Sequence, residues 1–253
     1  MVGRRSIDQF VRGTGRQQGQ GAARFRWFPS LHCVRPRRLR RCLVAFAPRT
    51  IGSDMTIDEQ ITDCRLCADR FAATATGHLP RPVAWFRSGT PIVIAGQALG
   101  ARVHASGRPF TDHSGDRLRD WMGIGDDVFF DRSLISILPM AFCFPGYNAK
   151  GSDLPPPAIC ARTWRQGAMD HIGPASLLLL VGSYAQKWHL SDTASVTDRV
   201  ARWRDHAPAV FPMPHPSWRN TGWIKKTPWF EAELLPALRG RVCQVIANQP
   251  AAD

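Results

Sequence analysis

Long apolar runs are missing from this 253-residue chain. No stretch approaches the roughly 20 residues that a bilayer-crossing helix needs, so the sequence offers no spanning segment. The leading residues also lack the uninterrupted apolar core of a cleavable signal peptide. Tyrosine is scarce, 2 residues against 9 tryptophans, and no internal repeat is found. Acidic residues are few, 20 against 33 lysines and arginines, for a formal net charge of +13. That imbalance is local. Residues 1–54 hold 12 arginines, no lysine and only Asp8 and Asp54, a net +10, which leaves +3 for the remainder. The same segment carries Gly/Gln repeats between Gly13 and Gly21 and an arginine cluster from Arg35 to Arg41, with no sustained period, and is expected to be disordered. Arg-rich, acid-poor leaders serve as transit peptides, and arginine clusters hold nucleic acid. The preferred reading is an over-extended gene start, with Met55 opening the working protein. The high pI therefore says little about function.

Four of the seven cysteines form two spaced pairs, Cys64-x2-Cys67 and Cys143-x16-Cys160. A chain with 44% apolar residues does not need disulfide staples to fold. A Cys-x2-Cys pair puts two thiolates on one short turn where both can grip the same ion, and two distant cysteines complete a tetrahedral sulfur shell. Zinc and an iron–sulfur cluster both satisfy that shell, while four unrelated core cysteines are the plainer alternative. Cys33, Cys42 and Cys243 have no comparable spacing and read as ordinary thiols.

From Met55 onward apolar runs alternate with amphipathic stretches. Pro91 to Gly96, Leu134 to Leu138, Leu177 to Gly182 and Ala209 to Pro212 read as short buried strands. Ser114–Met122, Pro157–Ile172, Tyr184–Leu190 and Val196–His206 have helical spacing. The alternation predicts an α/β fold: a three-layer α/β/α sandwich around a central, mainly parallel four-stranded sheet. It forms one domain over residues 55–242, with a flexible tail from 243 to 253.

In such a sheet ligands bind beyond the carboxyl ends of the strands. After the first predicted strand comes Gly96-Gln-Ala-Leu-Gly100 and a polar loop ending in Gly107-Arg-Pro-Phe-Thr-Asp112. After the last comes Pro214-His-Pro-Ser-Trp-Arg-Asn220, followed by Trp223, Lys225 and Lys226. The Gly-x-x-x-Gly segment lets backbone N–H groups approach an anion or carbonyl, or else is a tight strand-to-helix turn. Prolines on both sides of His215 hold its imidazole on a stiff loop, and Ser217 can donate to phosphate. A lone loop histidine is more often a surface residue; its value comes from its company.

Taken in order, the Cys64/Cys67 pair, Gly96 to Gly100, Gly107-Arg-Pro-Phe110, Cys143 after the second strand with Cys160 in the next helix, the Leu-Val-Gly182 to Ala185 step and His215-Pro-Ser217 resemble the uracil-DNA glycosylase superfamily. The likeness spans nearly all of residues 60–240 and is greatest to the iron–sulfur branch, the family 4 enzymes. It implies a monofunctional, monomeric DNA repair enzyme of bacterial cytoplasmic type. Such an enzyme hydrolyses the N-glycosidic bond of a flipped uracil or other deaminated base, and a non-catalytic nucleic-acid binder of the same superfamily is the alternative. It implies a 4Fe-4S cluster on Cys64, Cys67, Cys143 and Cys160, with structural zinc as the alternative. His215 would donate to the departing base, Phe110 would stack on it, and the backbone at Gly96, Gln97 and Ala98 would bind its carbonyl. Trp218 and Arg219 would enter the duplex, and Ser217, Lys225 and Lys226 would contact phosphates.

Three positions depart from that pattern. Gln97 stands in place of a glutamate, and its amide can orient a water but cannot take a proton. Leu99 replaces a proline, and Pro139 falls near where an asparagine reads the uracil edge. Asp112 and Asp116 are close enough in sequence to be replacement carboxylates, whereas His104 and His113 read as exposed histidines. Trp229 is expected in a small core under the carboxyl-terminal helix, with Trp223 either there or stacking on bases.

Overall fold

The structure, a computed structural model, describes residues 55–249; the expectations for residues 1–54 and 250–253 lie outside that range. Four parallel strands run in the spatial order β2-β1-β3-β4: β1 Ile92–Ala98, β2 Ile135–Ala141, β3 Leu177–Val181 and β4 Val210–Met213. The expected α/β architecture is present. Side chains alternate across the sheet with period two. Ile92, Ile94, Leu177, Leu179 and Val181 face one core, and Val93, Ala95, Leu178 and Leu180 face the other. A parallel sheet buried on both faces needs nearly continuous apolar strands. All five residues of β3 are buried, each leucine contributing about 1.5–3 kcal/mol over exposure.

Helices cover both faces. Against the first core lie α4 (His113–Met122), through Leu118, Trp121 and Met122, and α10 (Leu235–Ala247), through Leu235, Leu238, Val242 and Val245. Against the second lie α6 (Ala158–Ile172), α7 (Ser183–Leu190) through Ala185, and α1 (Ile57–Thr62) through Ile61. Shorter helices are α2 (Ala68–Ala72), α3 (Ala101–Ser106), α5 (Asp126–Phe129), α8 (Val196–Ala201) and α9 (Thr221–Lys226). The outer edge of β2 is not left bare. Ile137 donates to the Trp85 carbonyl at 2.7 Å, and Val83 donates to that of Phe142 at 2.8 Å.

Several boundaries differ from expectation; β2, expected to end at Leu138, runs on through Pro139 to Ala141. The first strand runs on through Gln97 and Ala98, because Ala98 still pairs opposite Ala141; the anticipated glycine loop is mostly strand. Val196–His206 is broken after Ala201 into a tight turn at Trp203–Asp205, which lets Trp203 stack on Phe211 with ring centroids 5.6 Å apart. The tail expected from 243 is instead helical to Ala247, since Val245 is buried in the core.

Candidate active site and cysteine site

The strand ends themselves make a crevice. β1 pairs with β3 only as far as Ala95 opposite Leu180, but pairs with β2 out to Ala98. Beyond Ala95 the chain leaves β1 toward the first core and β3 toward the second. This parting is the topological switch point at which open α/β sheets bind ligands.

A pocket of about 270 Å³ opens there, and Gln97, Gly182, Ser183, Thr197, His215, Asn220 and Trp223 are among its lining residues. Gln97 from β1 and His215 from beyond β4 are thus brought into one cavity. Gly182, at φ 83°, sits in the left-handed region that a side chain would strain and lies beside His215. The histidine loop is tied at several points. Asn220 donates through Nδ2 to the His215 carbonyl at 2.7 Å, and Arg117 of α4 donates through Nη1 to the Ser217 carbonyl at 3.0 Å. The Ser217 N–H donates to His215 Nδ1 at 3.2 Å. With Nδ1 accepting, the neutral ring carries its proton on Nε2, the tautomer that can donate to a ligand. Burial pushes the His215 pKa below 6.5, against the opposing pull of the Asp112 and Asp153 carboxylates.

Phe110 is not among the pocket's lining residues. Its ring packs edge-on to Phe129, centroids 5.9 Å apart, and its backbone is left-handed at φ 57°, a strained state for a bulky residue. Arg119 holds it there, donating through Nη1 to the Phe110 carbonyl at 2.9 Å while pairing with Asp116 at 2.6 Å and Asp126 at 2.7 Å. Asp116 is therefore committed to Arg119, which removes it as a replacement carboxylate. Asp112 caps α4, accepting from the Gly115 N–H at 3.1 Å, and is the carboxylate of that pair whose charge reaches His215. Gly96 and Ala98 flank Gln97 within the β1 ladder, opposite Pro139 and Ala141. Trp218 is 76% exposed, and Arg219 lies beside it with its guanidinium carbon 6.0 Å from the ring centroid. Lys225 and Lys226 are exposed at the end of α9. Of the two histidines read as exposed, His113 is, whereas His104 is half-buried against His78 and Phe144, and burial lowers its pKa. Trp229 packs against the first core as expected.

Cys64, Cys67, Cys143 and Cys160 converge on a second, small pocket, of about 20 Å³, which shares no lining residue with the first. All four are free thiols. Two carry hydrogen bonds suited to anionic sulfur: the Trp164 indole N–H donates to Cys64 Sγ at 3.3 Å, and the Phe142 amide to Cys160 Sγ at 3.5 Å. Burial and the neighbouring sulfurs push the Cys143 thiol up to about 12; burial above all takes Cys160 to about 11, and Cys67 is raised too. Bare thiols at Cys67, Cys143 and Cys160 stay protonated, and a bound cation would release those protons. Among the described residues, no three His, Cys, Asp or Glu side chains stand close enough to clasp a single metal ion. Four sulfurs with two N–H donors are the donor chemistry that a thiolate-ligated group would use.

Neither the Arg117 tie nor the Thr197 wall is legible in the sequence as part of the site. Asn220 and Trp223 do fall in the segment that sequence reasoning singled out after the last strand. The family model of the Uracil DNA glycosylase superfamily matches residues 84–239. The chain belongs to that superfamily, whose members act on DNA.

Proposed function

We propose that this protein is a monofunctional DNA glycosylase that hydrolyses the N-glycosidic bond of uracil or another deaminated base flipped out of DNA, leaving an abasic site. The observation that carries this reading is the meeting of Gln97 and His215 in one switch-point pocket, with His215 held as the Nε2–H tautomer. As the bond breaks, negative charge gathers on the base carbonyl and positive charge on the sugar. The Nε2–H of His215 meets the first, and a donor placed in advance in this way is worth about 2.7–4 kcal/mol of barrier. Gln97 orients a water or the base edge, and the Asp112 carboxylate supports the positive sugar. The bond from the anomeric carbon to the base nitrogen breaks with its electron pair going to the base, water adds at the anomeric carbon, and the proton that this water sheds passes to the Asp112 carboxylate or to solvent and finally protonates the departed base anion. No lysine lines the pocket to form a Schiff base, which favours monofunctional chemistry. Phe110 would stack on the extruded base only after its ring turns from Phe129 toward the pocket, and the backbone at Gly96 and Ala98 assists the base carbonyl. Trp218 and Arg219 fill the vacated stack, while Ser217, Lys225 and Lys226 hold phosphates.

The four cysteines hold a 4Fe-4S cluster in this reading. A cluster keeps its ligands farther apart than one ion does, which suits four cysteines that share a pocket without clasping a single-ion site. When bound it supplies a cross-link, tying the segment around Cys64 and Cys67 to Cys143 and to α6. A colourless protein carrying zinc would replace the cluster in that role.

The test is base release from oligonucleotides carrying uracil, hypoxanthine or xanthine, single-stranded and mismatched, by the wild type and by His215→Ala. Release that falls about 10²–10³-fold in the variant, with DNA affinity kept, is expected. Metal-replete protein that binds the DNA and releases no base would make it a non-catalytic binder, a reading that the amide at Gln97 favours.

A further inference from the structure

Among the described residues, no charged side chain lines the switch-point pocket, and the one large ring there besides the His215 imidazole is the indole of Trp223. Trp223 lies on α9, three residues after the Asn220 that ties the histidine loop. Its half-buried indole is held from several sides. Nε1–H donates to Thr197 Oγ1 of α8 at 2.8 Å, and Trp229 and Phe230 meet the ring nearly at right angles, with centroids 5.9 and 5.5 Å away. The neighbouring Ile224 is buried in the first core, which anchors the helix that carries the indole. With its N–H spent on Thr197, the indole has only its π surface to offer a ligand. Phe110, by contrast, is turned onto Phe129 and is absent from the lining. Unpaired bases are held by stacking on such rings. Size does not decide between bases of one ring and of two, because the cavity of about 270 Å³ is several times the about 30 Å³ share of one water. Overlap does decide: indole and purine are both two fused rings, and a pyrimidine covers only part of that surface.

We propose that Trp223 is the base-stacking wall of this pocket and makes it favour deaminated purines such as hypoxanthine over uracil. The proposal rests on reading the pocket as the seat of a flipped base. Hypoxanthine is a neutral lactam whose edge both donates and accepts, which suits a lining without charge in which the Gln97 amide and the Ser183 hydroxyl each do the same. Thr197 is a positioning residue that acts through the ring by fixing its orientation. Trp223 is in place before the base arrives, whereas Phe110 adds a second face only after its ring turns.

The experiment measures equilibrium affinity for single-stranded oligonucleotides carrying hypoxanthine, uracil or an abasic-site analogue. Wild type is compared with Trp223→Leu, Trp223→Phe, Thr197→Val and Phe110→Leu. The target nucleotides carry a 2′-fluorine, which disfavours positive charge on the sugar and keeps the bases attached. Wild type is expected to bind the hypoxanthine strand more tightly than the uracil strand, and both more tightly than the abasic analogue. Trp223→Leu should weaken the hypoxanthine complex about 5–150-fold, the worth of one stacked base, with a smaller loss for uracil and none for the analogue. Trp223→Phe keeps a single ring and should restore uracil binding more than hypoxanthine binding. Thr197→Val, at an exposed position, should weaken hypoxanthine binding severalfold with the melting temperature unchanged, which keeps the test decisive should Trp223→Leu not fold. Phe110→Leu should cost less than Trp223→Leu. Equal losses on all three strands would make Trp223 a structural residue, and a wild type that binds uracil as tightly as hypoxanthine would remove the selectivity; either result overturns the proposal. Base release from unfluorinated strands is read separately. A protein that releases no base yet shows the Trp223-dependent preference would sink the glycosylase reading and leave the stacking wall standing.

Discussion

Gly115→Ala should damage the protein far more than its position on a helix suggests. A Cβ at Gly115 would lie 1.8 Å from the Phe110 carbonyl oxygen, 2.5 Å from its carbon and 2.9 Å from its Cα, all backbone atoms that cannot swing aside. The Phe110 turn would have to move by about 1 Å or more to restore ordinary contact. Overpacking of this kind costs about 1–3 kcal/mol. Moving the turn also breaks the 2.9 Å bond from Arg119 to the Phe110 carbonyl, a charge-assisted bond worth about 1.5–3 kcal/mol. The Asp116 and Asp126 pairs add little, because those carboxylates are 63% and 72% exposed. Relief of the left-handed strain at Phe110 returns about 1 kcal/mol, so the net loss is about 2–5 kcal/mol. For a body of this size that is a fall in melting temperature of about 5–20 °C. Thermal unfolding followed by circular dichroism measures it, and base release at a temperature where the variant stays folded measures the effect on the loop. A variant within about 0.5 kcal/mol of wild type, with unchanged base release, would refute both the close approach and the importance of the Phe110 turn.

Asp112→Asn keeps an N-cap of equal quality, so stability should hold while base release drops about tenfold or more; an unchanged rate would remove the Asp112 carboxylate from the chemistry. Arg117→Met frees the Ser217 carbonyl and should lower kcat more than it raises KM, because misplaced catalytic groups lose rate first. A pure KM effect would make Arg117 a DNA contact instead. His189, His215 and His104 all have folded pKa values below 6.5. The unfolded chain therefore binds more protons, and stability should fall as pH drops from about 6.5 toward those lowered values. Asp58, Asp131 and Asp192 are also lowered, so their contribution is present above 3.8 and is lost at still lower pH. Denaturant midpoints that stay flat between pH 7 and 5 would contradict the buried neutral histidines.

The four strands were readable because each is a short apolar run, and all four lie within a few residues of where that pattern places them, although β1, β2 and β4 run on past the glycine or proline expected to close them. The His215 loop was readable for a related reason: its flanking prolines and its place after the last strand are local. Other features had no local trace. Gln97 belongs to a strand end only because Ala98 still finds a partner in Ala141, a contact decided by β2 and invisible along β1 itself. Asp112 and Asp116 are equivalent carboxylates in the sequence, and only the packing of Arg119 commits one and leaves the other near His215. Phe110 sits in the motif where the resemblance places a stacking ring, yet its left-handed turn directs it onto Phe129 rather than into the lining of the pocket. By itself the sequence determined the layers, the strand order of the motifs and the cysteine spacing, because periodicity and turn chemistry act over a few residues. Tertiary structure alone decided which charges are compensated and which groups share a cavity, because Coulomb forces and close packing act between residues a hundred apart in the chain, and a buried charge such as Arg119 takes its meaning from whatever the fold sets beside it.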